Sequence, residues 1–108
     1  MAAFTRGEIW LAQLDPTVSS EIQKTRACVV VSPDEMNLHL RTVVVAPMTT
    51  GSRPASFRVP LTFKGKQGLI LLDQLRTLDG VRLIKRLGAL QPQTLGATLK
   101  TLQDMFAP

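Results

Sequence analysis

The sequence predicts a mainly β fold, a small and strongly bent antiparallel barrel followed by a C-terminal helix. Short apolar or alternating runs, bounded by glycine, proline and polar residues, recur through the first 90 of the 108 residues, as expected of strands. From Leu95 the apolar residues fall at spacings of four, three and four, as on one face of a helix. Charged residues make up 19% and apolar residues 44%, which excludes a disordered chain. We expect one domain over residues 1–108, with five to seven strands.

Two strands and a helical turn are predicted in the first 40 residues. The first strand covers Gly7–Leu14, and the polar loop Asp15–Thr25 separates it from a buried strand at Ala27–Ser32. A loop of this length between two strands is often functional in a compact domain. Asp34–Leu40 has the composition of one helical turn.

Prolines mark the limits of the next two strands. Thr42–Met48 is the third strand, and Pro47 indicates that its end lies outside a central ladder, because proline lacks a backbone N–H. Phe57–Phe63 alternates between apolar and other residues, which predicts a half-buried strand. Pro60 places that strand at an edge of the sheet.

The remaining elements run from a turn at Lys64–Gly68 to the C-terminal helix. Leu69–Leu72 is predicted to be a buried strand that continues less regularly through Asp73–Asp79, and Leu83–Leu90 holds one more short strand. Pro92 suits the first turn of the helix. The apolar stripe of this helix consists of Leu95, Leu99, Leu102 and Phe106.

Basic residues are concentrated between Arg53 and Arg86. The chain has 13 Lys and Arg against 8 Asp and Glu, a net charge of +5. The eight basic residues of this segment are Arg53, Arg58, Lys64, Lys66, Arg76, Arg82, Lys85 and Arg86, against the two acids Asp73 and Asp79. Such a segment suits nucleic acid or an acidic protein partner, and a solvated basic surface is the alternative.

The composition favours a cytoplasmic protein that needs no cofactor. No apolar run approaches the roughly 18 residues of a membrane span, and the N-terminal residues lack the pattern of a secretory signal. Cys28 and His39 are the only residues of their kinds, so the sequence predicts neither an internal disulfide nor a cysteine-cluster metal site. A Ser-His-Asp or Cys-His nucleophile would require His39, which is better explained as a solvated turn residue.

The residues best suited to chemistry lie where loops meet strands. Arg26 stands between the polar loop and a buried strand, where its guanidinium can contact a phosphate through several N–H groups. Thr49 and Thr50 follow the third strand and can donate hydrogen bonds to the same phosphate, and Glu21 is a carboxylate in the loop. RNA carries its own nucleophile, the 2′-OH, so alignment and charge stabilisation suffice to cleave it. Since arginine and threonine are common in loops, these residues permit RNA cleavage without establishing it.

Four stretches, taken in order, resemble the MazF/PemK family of toxin endoribonucleases. They are RGEIWLAQLDPT (Arg6–Thr17), SEIQKTRACVVVSP (Ser20–Pro33), VVVAPMTT (Val43–Thr50) and GLILLDQLRTLD (Gly68–Asp79). KRLGAL (Lys85–Leu90) fits the family's next segment. The resemblance covers nearly the whole chain, and the ordered set is more specific than any one piece.

The resemblance implies an SH3-like β-barrel of the MazF/PemK/CcdB kind and a homodimer that cuts single-stranded RNA without a metal. The products would be 2′,3′-cyclic phosphate and 5′-hydroxyl ends, and cleavage would inhibit translation and growth. The family's catalytic arginine and threonine fall on Arg26 and Thr49. Its loop acid falls on Glu21, as a supporting residue or proton acceptor. An acidic, MazE-like antitoxin is the expected protein partner.

Sequence preference is expected to come from loop side chains that hold bases splayed out of a single strand. The candidate RNA-binding residues are Ser20, Gln23, Lys24, Thr25, Thr50, Arg53, Ser56, Gln74 and Arg76. For Arg76 the alternative is a salt bridge with Asp73 or Asp79. The chain has Ala27 where the family usually has proline, and Ser19–Ile22 where it commonly has Gly-Ser-Glu-Gln, which leaves the loop geometry and the RNA preference open.

Two other functions remain open at this point. A toxin of the same fold can act on DNA gyrase instead of RNA, and a barrel of this kind can bind RNA without cutting it. The combination of Arg26 and Thr49 favours the nuclease.

Overall fold

The computed structural model describes residues 3–15 and 24–108, and within them it contains seven strands and two α-helices. The strands are β1 (Glu8–Gln13), β2 (Thr25–Val30), β3 (Thr42–Thr49), β4 (Arg58–Phe63), β5 (Lys66–Leu71), β6 (Arg76–Asp79) and β7 (Leu83–Ala89). The helices are α1 (Asp34–His39) and α2 (Pro92–Phe106), and short 3₁₀ turns cover Leu72–Gln74 and Gly80–Arg82.

All strand pairs of the sheet are antiparallel, and the sheet is curled into a half-barrel. The strand order is β4-β5-β3-β2-β1-β7, and β6 pairs with β3. Three of the six consecutive strand pairs are neighbours in the sheet, namely β1 with β2, β2 with β3 and β4 with β5. The prediction of a mainly β, strongly bent antiparallel fold with an appended helix is confirmed.

The core lies on both faces of the central strands, which explains why their sequences are continuously apolar. One cluster contains Val29 and Met48, and the cluster on the opposite face contains Cys28, Val30 and Val45. Because successive side chains of a strand point to opposite faces, a strand buried on both sides has no polar positions to alternate with. The two faces together fix β2 and β3 firmly, and the candidate site lies where β2 begins and β3 ends.

Pro47 was expected to mark an end outside the central ladder, and this prediction is wrong. The residue is buried within β3, the strand with most partners in the sheet, and lies opposite Cys28 of β2. On its other edge β3 pairs with β6 through Val45 and with β5 from Met48 onward. Since Pro47 falls between these two partners, its missing N–H interrupts neither ladder.

Two strands begin earlier than the sequence indicated, and both changes affect the candidate site. β2 starts at Thr25, so Arg26 is its second residue and pairs with Ala12 of β1. β5 starts at Lys66, which pairs with Phe63 of β4. The arginine and the lysine are therefore held by strands, whereas the prediction placed the arginine between a loop and a strand and the lysine in a turn.

The C-terminal helix begins at Pro92 as predicted, but its buried face differs in one place. Leu102 packs against the first core cluster, whereas Phe106 is 73% exposed. The fully buried residue of α2 is Thr98, whose hydroxyl donates to the Thr94 carbonyl at 2.7 Å. None of the helices that the structure describes is long and apolar enough to cross a membrane.

Candidate active site

The register of β2 and β3 brings Arg26 and Thr49 together. Cys28 lies opposite Pro47 in this antiparallel pair. Two residues further along each strand, on the same face of the sheet, stand Arg26 and Thr49. Side chains at directly opposed positions of antiparallel strands are close neighbours. The paired part of the two strands ends at Cys28 and Pro47, and the same register continued past it directs Arg26 and Thr49 to one place, where both line a single cavity.

A cavity of about 280 Å³ opens at this point. Four predicted site residues line it: Thr25, Arg26, Thr49 and Thr50. The apolar part of the lining consists of Leu11, Ala27, Met48, Leu61 and Phe63, and β5 adds Lys66 and Gly68. The hydroxyl groups and the guanidinium therefore stand on a largely apolar floor. An anion bound there would be attracted by the exposed positive charges, and the apolar floor would exclude water from one side and strengthen that attraction.

Lys66 is a site residue that the sequence analysis did not identify. It was placed in a turn over Lys64–Gly68, but the turn consists of Lys64 and Gly65 alone, with φ of 51° and 78°. Two central residues with positive φ are typical of the tight type I′ hairpin turn. Extending the alternation of Phe57–Phe63 through a two-residue Lys-Gly turn would have placed Lys66 beside Phe63.

The cavity carries two positive charges and no negative charge from the residues that the structure describes around it. Neither Arg26 nor Lys66 forms an ion pair with a carboxylate of residues 3–15 or 24–108. Burial raises the pKa of the Cys28 thiol to about 12, against the opposing effect of the nearby Arg76 and Arg26 charges. The thiol is therefore protonated at neutral pH, and Cys28 is fully buried in the second core cluster.

The polar loop before Arg26 is closed by hydrogen bonds at its two ends, which we call the loop neck (Gln13–Asp15, Lys24 and Arg82). The Leu14 N–H donates to the Lys24 carbonyl and the Lys24 N–H donates to Asp15 Oδ1, both at 2.9 Å. Arg82 Nη1 donates to the carbonyls of Asp15 at 2.6 Å and Gln13 at 3.3 Å. Lys24 has a φ of 67°, a left-handed conformation that turns the chain sharply into β2. These contacts fix the backbone two residues before Arg26.

Part of the basic segment is used within the fold. Arg58 forms a two-pronged salt bridge with Asp73, with N–O distances of 3.1 and 3.0 Å. Arg86 pairs with Glu8 at 2.8 Å, and Arg82 binds the loop neck. The excess of charge in the sequence therefore overstates the positive surface that is available to a polyanion.

The other predicted RNA-binding residues are placed as follows. Arg53, Ser56, Gln74 and Arg76 lie outside the lining of the Arg26 cavity. No salt bridge of Arg76 with Asp73 or Asp79 occurs in the described part of the chain: Asp73 pairs with Arg58, and Asp79 accepts from the N–H of Val81 at 3.1 Å. Arg76 lies on β6, opposite Val45 of β3.

Three predicted site residues, Ser20, Glu21 and Gln23, lie outside the described residues. Within the described ranges, no group of three or more His, Cys, Asp or Glu side chains is arranged to hold a metal ion. His39 ends α1 and is exposed, on an element that does not line the cavity.

The Arg58–Asp73 pair predicts a pH dependence of stability. The hydrogen bond from Arg58 lowers the pKa of Asp73. The pair therefore stabilises the fold above the ordinary carboxyl pKa of about 4, and this contribution is lost as the pH falls through the lowered pKa. We expect Asp73→Asn to have a lower melting temperature than the original chain at pH 7, and the difference to shrink below about pH 4. Thermal unfolding followed by circular dichroism between pH 2.5 and 7 measures this, and a constant difference would contradict it.

Comparison with known proteins places this chain among toxins. A family model described as PemK-like, MazF-like toxin of type II toxin-antitoxin system matches residues 5–106. The endoribonuclease PemK of Escherichia coli is 44% identical over 79 residues, which are 68% of this chain and 59% of PemK. The endoribonuclease MazF of Staphylococcus epidermidis is 35% identical over 88 residues, 76% of this chain and 73% of MazF. The chain thus matches less than two thirds of the length of PemK.

A solved structure confirms the fold. An endoribonuclease from a mycobacterial species, in complex with its cognate antitoxin, superposes with a TM-score of 0.83 at 23% sequence identity. The match covers 98% of each chain, so the shared architecture extends from the first strand to the C-terminal helix.

Proposed function

This chain belongs to the PemK-like, MazF-like toxins of type II toxin-antitoxin systems, and we propose that it is an endoribonuclease that cuts single-stranded RNA. The observation that carries the proposal is the cavity in which Arg26 and Thr49 stand together with Lys66. The positive charges of the cavity can bind a phosphodiester, and its hydroxyl groups can orient that phosphodiester. The relatives PemK and MazF are both named endoribonucleases, which supports the same activity for this chain.

In the proposed reaction the 2′-oxygen of one nucleotide attacks the adjacent phosphorus and the 5′-oxygen of the next nucleotide leaves. A 2′,3′-cyclic phosphate and a 5′-hydroxyl result. The 2′-OH loses its proton to an acceptor, for which Glu21 is the candidate from the sequence, and the leaving 5′-oxygen gains a proton. No metal ion takes part in this scheme.

Each cavity residue has a separate task in this scheme. Arg26 binds the non-bridging phosphoryl oxygens, on which negative charge grows in the transition state. Thr49 donates its hydroxyl hydrogen to the same group and holds it in line for attack. Lys66 approaches from the opposite wall and supplies the second positive charge. An ammonium releases a proton more readily than a guanidinium does, so Lys66 is the better donor to the leaving oxygen.

The same features suggest how the toxin is held inactive. A positively charged cavity with an apolar floor suits an acidic segment with apolar side chains, and the mycobacterial neighbour is a complex with its cognate antitoxin. We propose that an acidic antitoxin covers the Arg26 cavity in the cytoplasm and that the toxin acts as a homodimer. A complex that left Arg26 accessible to RNA would contradict direct blockade, and a monomer by light scattering would contradict the dimer.

One assay tests the proposed function against its alternatives. The purified protein is incubated with a long single-stranded RNA in EDTA, and the ends of the fragments are identified chemically. Discrete cuts with 5′-hydroxyl and cyclic phosphate ends are expected. Absence of cutting by a folded, dimeric protein would overturn the nuclease. A supercoiling assay with DNA gyrase and an RNA-binding measurement would then distinguish a gyrase toxin from an inactive RNA-binding barrel.

Arg82 is expected to affect cleavage through the loop neck, without contact to RNA. Arg82→Ala removes the hydrogen bonds to the Asp15 and Gln13 carbonyls, so the backbone before Arg26 loses part of its support. Small displacements of catalytic groups cost up to about 100-fold in rate, and for this indirect effect we expect kcat to fall about tenfold.

The control for this effect is Lys85→Ala, which removes a positive charge from the exposed part of β7. Single-turnover cleavage at saturating RNA separates rate from binding. Equal losses in the two variants would mean that Arg82 acts through its charge and would contradict a role in the neck.

A further inference from the structure

A second pocket adjoins the Arg26 cavity and differs from it in chemistry. This pocket, which we call the Gln67 pocket, has a volume of about 520 Å³. It is lined by the connection after β3 (Thr50, Ser52, Pro54), by β4 (Pro60, Leu61, Thr62) and by β5 (Gln67, Gly68, Leu69). Thr50, Leu61 and Gly68 line both the pocket and the cavity. The two spaces therefore adjoin, and a nucleotide whose phosphate lies in the cavity can reach the Gln67 pocket.

The β4–β5 hairpin separates the two spaces and contributes different side chains to each of them. Phe63 and Lys66 form one opposed pair of the hairpin and line the cavity, whereas the next pair, Thr62 and Gln67, lines the pocket. Neighbouring pairs of an antiparallel hairpin point to opposite faces. The lysine and the glutamine, adjacent in the chain, thus serve different parts of one site.

The lining of the Gln67 pocket suits a neutral, flat ring and does not suit a phosphate. Its polar groups are three hydroxyls and one amide, and none of the described residues around it is charged. Pro54 and Pro60 add flat apolar surfaces. Single-stranded RNA is read through bases that leave the stack and pair their edges with side chains. Phosphate binding requires positive charge, which stands on the other face of the hairpin.

The pocket is also held in shape. Arg58, anchored by Asp73, donates from Nη1 to the Arg53 carbonyl at 2.9 Å. The Arg58 N–H donates to the Ala55 carbonyl at 3.0 Å. These contacts fix the connection that carries Ser52 and Pro54 against the hairpin, and a pre-formed pocket loses little entropy when it binds a base.

We propose that the Gln67 pocket binds the base of a nucleotide next to the scissile phosphate and that Gln67 selects adenine. This proposal rests on the proposed function. The side-chain amide has one donor and one acceptor side by side, and this pattern matches the amino group and ring nitrogen of adenine. Cytosine offers the same pair of groups, and the flat surfaces of Pro54 and Pro60 favour the larger purine ring. Thr62, opposite Gln67 in the hairpin, adds a second hydrogen bond from the same wall.

The test compares the nucleotides at the cut sites of the original chain and of Gln67 variants. The 5′-hydroxyl ends of a long RNA are sequenced after limited digestion. Gln67→Ala is expected to weaken the preference for adenine at one position beside the cut by about 5- to 100-fold, with other positions unchanged. Gln67→Glu keeps the shape but only accepts hydrogen bonds, so it is expected to shift that preference toward guanine, whose ring N–H and amino group are two adjacent donors. Gln103→Ala, in the exposed part of α2, is the matched control.

Measurements of RNA affinity test the Gln67 pocket independently of whether the protein cleaves RNA. Oligonucleotides with 2′-O-methyl groups cannot form the nucleophile, so their affinity is measured by fluorescence anisotropy whether or not the protein cuts RNA. Tighter binding of adenine-containing oligonucleotides that is lost in Gln67→Ala supports the pocket even if no cleavage occurs. Identical base preferences in the original chain and in both folded Gln67 variants would overturn the proposal, although RNA cleavage itself would stand.

Discussion

Arg26→Ala is expected to lower the rate of RNA cleavage by about 100- to 1000-fold without unfolding the protein. Arg26 is exposed at the mouth of the cavity and forms no ion pair within the described residues, so its removal costs the fold little. In the proposed reaction its guanidinium meets the charge that develops on the phosphoryl oxygens. The loss of one such group typically costs about 3–4 kcal/mol in the transition state.

Two further variants define what Arg26 contributes. Arg26→Lys retains the charge but not the planar set of N–H groups, so its rate should lie between those of the original chain and Arg26→Ala. Arg41→Ala removes an exposed arginine from a surface outside the cavity and should leave the rate nearly unchanged. Single-turnover rates with an RNA that contains one mapped cut site provide the measurement. An Arg26→Ala variant that cuts as fast as Arg41→Ala would remove Arg26 from the proposed reaction.

Two residues of the site, Arg26 and Thr49, could be predicted from the order of apolar and polar segments in the sequence. Arg26 and Thr49 were identified because each adjoins an apolar run that could only be a buried strand, and the family match over residues 5–106 confirms the resemblance on which their roles rest. Lys66 was missed because a two-residue turn and a five-residue turn have nearly the same composition. The two-residue turn requires a positive φ at Lys64, which a non-glycine residue adopts only when the hairpin requires it.

Charge pairing could not be read from the sequence. Arg58 finds its carboxylate 15 residues away, whereas Arg86 and Arg82 bind partners 78 and 67 residues earlier in the chain. Such contacts depend on which strands become neighbours, and the local excess of basic residues contains no information about that. Of the eight basic residues of the Arg53–Arg86 segment that were predicted to suit a polyanion, three are therefore engaged within the fold.

Ala27 departs from the proline that the sequence resemblance leads us to expect at this position. The family usually has proline there, which restricts the preceding residue and offers no N–H to a ladder. Ala27 instead pairs with Leu11, and β2 continues back through Arg26 to Thr25. The guanidinium is thus carried by a paired strand and supported from behind by the loop neck.

Gly68→Ala is expected to reduce cleavage by about 100-fold, although the new methyl group touches no RNA. A Cβ at this position would lie 2.9 Å from the backbone oxygen of Thr49 and 3.8 Å from Cγ2 of Thr50. The closer contact is too short and involves backbone, so β3 and β5 must move apart where they pair through Thr49 and Leu69. Thr49 then leaves its position beside Arg26, and an error of about 1 Å in a catalytic group costs about 100-fold in rate.

The matched control for Gly68→Ala is Gly51→Ala, two residues beyond Thr49. Gly51 has an ordinary φ, and a Cβ there would have nothing within 4 Å, so activity and stability should hardly change. Gly68→Ala should also lose about 1–3 kcal/mol of unfolding free energy, as forced overpacking does, and urea unfolding measures that loss. Because Gly68 lines both the phosphate cavity and the Gln67 pocket, the variant should reduce both the cleavage rate and the base preference. A folded Gly68→Ala protein with the original rate would mean that the position of Thr49 does not limit the reaction, and the assigned role of its hydroxyl would be wrong.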